Sequence, residues 1–192
     1  MIETTGYGHA MMLEAGCTQL STGECHLHGS LPGRSSNGQL EREAEYAASH
    51  IFTRPLPGTA IDAILAAVKR RGSLAGGGQG GIAFDALGGA VNRLAPDATA
   101  FVHRDGLFTG QFTTTWTTGA PTSQTAPQQA WLRSFHSALT PYASGQAYQN
   151  YADAGLTNWQ QAYFGANYAK LLQVKNRYDP DRIFRLAQTA GA

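Results

Sequence analysis

Glycine and proline cut this chain into short segments of unlike periodicity, and that punctuation limits what it can fold into. The 23 glycines and 8 prolines are spread along 192 residues, and no segment repeats. Glu45–Phe52 (EYAASHIF) reads as a strand, stopped by the proline-containing Thr53–Pro57. Thr59 then caps a helix through Arg71. Its residues Ile61, Ile64, Leu65 and Val68 follow the i, i+3, i+4, i+7 spacing of one buried face. Lys69, Arg70 and Arg71 suit the negative end of the helix dipole, and Gly72 is a natural stop. Beyond the run Gly76–Gly81, Ile82–Asp85 reads as a short strand and Gly88-Gly89 as a turn. Thr99–His103 and Leu107–Trp116 read as a hairpin about Arg104-Asp105-Gly106, because Asp-Gly favours a tight turn. Thr113–Ala126, rich in Thr and Pro, reads as loop. Pro127 opens a helix to about Tyr142, with Trp131, Phe135 and Leu139 along one stripe. Gln146–Tyr151 reads as a strand. Thr157 or Asn158 caps a short helix to Tyr163, and a last helix follows Gly165 until Asp179-Pro180 ends it.

Strands and helices in this order do not alternate strictly. The expected class is α+β, with an antiparallel or mixed β-sheet and helices packed on one face. Residues 1–44 read as irregular, entered without a preceding strand or capped helix. Hydrophobic residues make up 42% of the chain, enough for a folded core. Charged residues make up only 14%, so the surface leans on uncharged polar groups or lies under another domain or subunit. A net charge of +1 gives nucleic acid or an anionic membrane little to bind. No stretch approaches the ~18 apolar residues of a membrane helix, and no basic region precedes an apolar run at the start. The expectation is a cytoplasmic protein.

Short motifs say little. Gly76, Gly78 and Gly81 satisfy G-x-G-x-x-G, but a dinucleotide cradle must follow a strand and open a helix, and here the order is helix, glycines, strand. Cys25, His26 and His28 lack a placed fourth ligand, so no metal is expected. His103, Arg104 and Asp105 fall at the predicted hairpin tip, where polar residues read as a solvated turn. There is no nucleophile elbow, zinc-protease helix or Walker loop.

Three collinear stretches carry more: GGAVNRLAPDATAFVHRDGLF (88–108), GQAYQNYAD (145–153) and WQQAYFGANYAKLLQVKNRYDPDRIF (159–184). Together they resemble the closing part of the berberine bridge enzyme-like FAD oxidoreductases, with a Y-x-N-Y segment, an aromatic-Gly-x-Asn turn, a helix and Y-D-P. Ala10–Cys17 (AMMLEAGC) resembles the point where such proteins enter the later part of their substrate domain. The resemblance makes 1–44 a remnant of that domain, 45–145 its sheet and helices, and 146–192 the C-terminal berberine bridge enzyme-like segment. It implies FAD as cofactor and a small-molecule substrate (an alcohol, a sugar or an amine-bearing natural product) losing hydride to the flavin. The family's FAD-binding domain, with its covalent His and Cys, has no counterpart here, and Cys17 and Cys25 are not placed to replace them. FAD would then be shared with a separate FAD-domain polypeptide, or the chain would associate with itself.

Carried over by position, Tyr151 matches the residue that often acts as catalytic base, Tyr148 its pocket neighbour, and Asn150 the residue facing the flavin edge. Asp85 resembles a carboxylate set near the base. Phenols have an ordinary pKa near 10, so Tyr151 needs a group that takes its proton as it takes the substrate's. Strand alternation opposes Tyr148 to Tyr151, a difficulty for one shared pocket unless a bulge or twist intervenes. Strand preference alone would make both tyrosines sheet-packing aromatics. A flavin-free binding module or redox-neutral pocket on the same fold is the alternative function.

Overall fold

The computed structural model describes residues 4–14, 44–74 and 78–191. Helix α1, Tyr7–Glu14, belongs to a different unit from Ala44–Ala192. It replaces part of the irregular segment expected there. Ala10, Met11, Met12, Leu13 and Glu14 are all good helix formers, but their apolar members do not repeat at helical spacing, so periodicity gave no sign of it. Residues 1–3 and 15–43 lie outside the described residues.

In the second unit, strands β1 (Ala44–Phe52), β2 (Gly80–Ala86) and β3 (Phe108–Trp116) form an antiparallel sheet in the order β1-β3-β2. The fold is therefore α+β. The register sets Ile51, Thr109 and Asp85 abreast, with Ser49, Gln111 and Ala83 in the next row of the same face. The opposite face carries Ala48, Phe52, Phe108, Phe112 and Ile82, and buries them against α2 (Gly58–Arg71) and α3 (Thr122–Leu139). Phe112 is fully buried and meets Phe135 edge-on at 5.0 Å, as aromatic pairs prefer. Leu132 and Leu139 close the same core. Each such side chain contributes about 1.5–3 kcal/mol by leaving water. A π-helical turn (Gln160–Phe164), a 3₁₀ turn (Gly165–Asn167) and α4 (Tyr168–Tyr178) complete the unit around Trp159, Ala162 and Tyr163. No helix among the described residues is long and apolar enough to cross a membrane.

Several sequence expectations are corrected. Helix α2 buries Ala60, half-buries Ile64 and Ala67, and leaves Ile61, Leu65 and Val68 at 47%, 62% and 43% exposure. The alanine side faces inward because small side chains let α2 approach α3 closely, and the Ala67 carbonyl accepts the Trp131 indole N–H at 2.8 Å. Its N-cap is Pro57 rather than Thr59, with the Ala60 N–H on the Pro57 carbonyl. Helix α3 begins at Thr122 and takes Pro127 into its interior. Residues 99–103 are not a strand; the segment 87–107 joins β2 to β3 as a long loop, clasped where Leu87 N–H reaches the Leu107 carbonyl. Gln146–Tyr151 is not a strand either. Its backbone donors go elsewhere: Ala147 N–H to the Ala162 carbonyl, Tyr148 N–H to Ser49 Oγ, and Tyr151 N–H back to the Tyr148 carbonyl.

Candidate functional site

The site lies on the polar face of the sheet. Alternation along β3 puts Thr109, Gln111 and Thr113 on this face and Phe108 and Phe112 on the other. On edge strand β2, Asp85 stands beside Thr109, whose hydroxyl donates to Asp85 Oδ2 at 3.3 Å. The segment 144–148 is bonded along the free edge of β1, and its continuation brings Tyr151 to Asp85 on β2. Ser144 N–H donates to the Ile51 carbonyl, Ile51 N–H to the Gln146 carbonyl, and Tyr148 N–H to Ser49 Oγ at 2.8 Å. The turn closed by Tyr151 N–H on the Tyr148 carbonyl then folds the chain back.

That turn removes the alternation difficulty. The Tyr148 and Tyr151 rings meet edge to face, 5.1 Å apart at 89°. Asn150 Nδ2 donates to the Tyr148 hydroxyl at 2.8 Å. The Tyr151 hydroxyl donates to Asp85 Oδ2 at 3.0 Å, across 66 residues of chain. The four residues singled out in the sequence, Asp85, Tyr148, Asn150 and Tyr151, thus form one connected group. Burial raises the Tyr151 pKa first; its hydrogen bond to Asp85, the Asp85 charge and Tyr148 push it the same way. All these causes favour the neutral phenol. Tyr151 is therefore a proton donor toward Asp85 at neutral pH, with a carboxylate placed to receive its proton.

His103 departs from its expected place at a solvated tip. It is fully buried, with Nδ1 2.6 Å from Gln146 Oε1, and burial lowers its pKa. Two supporting residues were not singled out from the sequence: Ser49, which holds Tyr148 and lies abreast of Gln111, and Thr109, which holds Asp85. The alternating FTGQFTTTW of β3 carried that signal for Thr109; nothing local marked Ser49. Among the described residues no cluster of His, Cys, Asp and Glu could hold a metal. Cys17, Cys25, His26, His28 and Gly76 lie outside them.

The Asn150 side chain is exposed beside the two phenols and the Asp85 carboxylate.

Comparison with known proteins finds similarity over part of the chain. The family described as berberine and berberine-like matches residues 147–189. YgaK of Bacillus subtilis, an uncharacterized FAD-linked oxidoreductase, is 36% identical over 104 residues, which are 54% of this chain and 22% of that protein. The monolignol oxidoreductase AtBBE-like 13 of Arabidopsis thaliana is 33% identical over 115 residues, 53% of this chain and 21% of its own. The structure of Physcomitrella patens BBE-like 1 superposes with a TM-score of 0.67 at 26% identity, covering 79% of this chain and 31% of that one. The chain thus spans about a fifth of the length of the curated relatives it matches. Residues 147–189 thus form a berberine and berberine-like domain, and over about half its length the chain is similar to the C-terminal portion of FAD-linked, berberine bridge enzyme-like oxidoreductases.

Proposed function

We propose that this chain supplies the substrate-side catalytic group of an FAD-dependent oxidation of a small-molecule alcohol or sugar. The hydrogen bond from the Tyr151 hydroxyl to Asp85 carries the reading. FAD, when bound, supplies the two-electron acceptor that takes hydride from the substrate carbon. The chain's own residues move the proton. A substrate hydroxyl presented to Tyr151 loses its proton to the phenol oxygen as the phenol proton passes to Asp85, and the alcohol carbon becomes a carbonyl. Tyr151 never has to exist as the free phenolate that its surroundings disfavour. Tyr148 packs edge-on against Tyr151 and fixes its ring, while Asn150 holds the Tyr148 hydroxyl and, exposed beside it, would be the residue to contact a bound flavin. The names of relatives support the substrate class: one is a monolignol oxidoreductase and one a chitooligosaccharide oxidase.

The test starts with the chain incubated with excess FAD, alone or with a separate FAD-domain polypeptide, and desalted. The retained flavin is then exposed without oxygen to alcohols and sugars. Tyr151→Phe should slow flavin bleaching by roughly 10²–10⁴-fold, the range for removing a positioned acid–base group, and leave flavin retention unchanged. Bleaching as fast as in the parent would refute the assignment.

A further inference from the structure

The loop 99–106 packs against the tyrosine pair through Phe101. His103 is fully buried, and its Nε2 makes no hydrogen bond among the described residues. A buried imidazole left half-satisfied is costly, so its other nitrogen and its ring contacts need to repay that cost. Nδ1 binds Gln146 Oε1 at 2.6 Å, which places the imidazole proton on Nδ1. The ring meets Phe101 edge to face at 5.1 Å and 88°. Phe101 in turn meets Tyr148 at 6.0 Å and 78°, and Tyr148 meets Tyr151 at 5.1 Å and 89°. From the other side the Arg104 guanidinium lies 4.7 Å from the Phe101 ring centre, itself held by the Val91 carbonyl and Thr99 Oγ1.

We propose that His103 and Phe101 are positioning residues that set the orientation of Tyr148 and, through it, the contact of Tyr151 with Asp85. The proposal rests on the reading of Tyr151 as the proton-transfer group, but its geometry stands without it. His103 fixes both ends of the arrangement at once, because Gln146 begins the segment that carries the tyrosines and Phe101 braces their rings. Edge-to-face contacts have a preferred angle, so a run of near-perpendicular rings transmits orientation where a greasy contact would not.

The experiment is a titration of the full chain carrying tyrosine labelled with ¹³C at Cζ, followed by NMR, with Tyr151→Phe identifying the Tyr151 signal. In the parent, Tyr151 should titrate above the ordinary tyrosine value. In Phe101→Leu and His103→Leu its midpoint should fall back toward that value, as the Asp85 contact loosens. His103→Asn, which keeps a donor where Nδ1 stands, should retain more of the raised midpoint than His103→Leu. Circular dichroism reports the fold of each variant. An unmoved Tyr151 midpoint in folded Phe101→Leu and His103→Leu would overturn the proposal. So would failure of both to fold, which would make these core residues and nothing more. This readout needs neither flavin nor turnover, so it separates loss of positioning from failure of the oxidase reading.

Discussion

Acidification should destabilise this fold through His50, and the size of the effect follows from where β1 places it. His50 faces the helices, 5% exposed, stacked on His136 with ring centres 3.7 Å apart and edge-on to Phe112 at 5.5 Å. Burial, then the neighbouring His136, lowers its pKa from 6.5 to about 4, against a small opposing effect of the His136 carbonyl. The sign is fixed by which state takes the proton. Between pH 6.5 and about 4 the unfolded chain binds a proton at this position and the folded chain does not, so stability falls as pH falls. At ~1.4 kcal/mol per pH unit, the loss attributable to His50 between neutral pH and pH 4 is about 3 kcal/mol. For a domain with a typical total of 5–15 kcal/mol, that is a large fraction. His136 and His103 are lowered by burial as well and act in the same direction. Urea denaturation followed by circular dichroism at pH 7, 6, 5 and 4 measures it, in the parent and in His50→Gln. Over this range the variant should lose roughly 3 kcal/mol less than the parent, although it starts less stable at pH 7. Parallel stability curves for the two proteins would refute the argument, because they would mean that His50 takes its proton in the folded state as readily as in the unfolded one.

Two further outcomes are expected. Asp85→Asn removes the charge and the charge-assisted bond that raise the Tyr151 pKa, so the labelled Tyr151 signal should titrate lower than in the parent, while burial still holds it above the ordinary value. Gly78 has φ of +73°, and a Cβ there would stand 1.9 Å from the Thr115 carbonyl oxygen. Gly78→Ala should therefore cost more than the ~1–2 kcal/mol of a left-handed residue alone, read as a lowered urea midpoint.

Local sequence determined three of the strands well and over-predicted two others, 99–103 and 146–151. Glu45–Phe52, Ile82–Asp85 and the second arm of 107–116 carry β-branched and aromatic residues between breakers, and each is found as a strand within a few residues of its expected ends. The α+β class followed from their order. The identities of the candidate site residues were also legible, because Tyr148, Asn150, Tyr151 and Asp85 sit in motifs that resemble a known family. Their arrangement was not. Alternation in an assumed strand set Tyr148 against Tyr151, and only the tertiary structure replaced the ladder with a turn. Ser49 Oγ and the Ala162 carbonyl, respectively 99 and 15 residues from the groups they bind, drew off the backbone donors a strand would have used. Likewise, the spacing of Ile61, Ile64, Leu65 and Val68 fixed a helix, but which side faced inward was decided by how closely α3 packs, and that favoured the alanines. Sequence reports what a segment prefers by itself. Which preference prevails is settled by partners distant in the chain, since buried polar groups must be satisfied and cores filled by whatever the fold brings near.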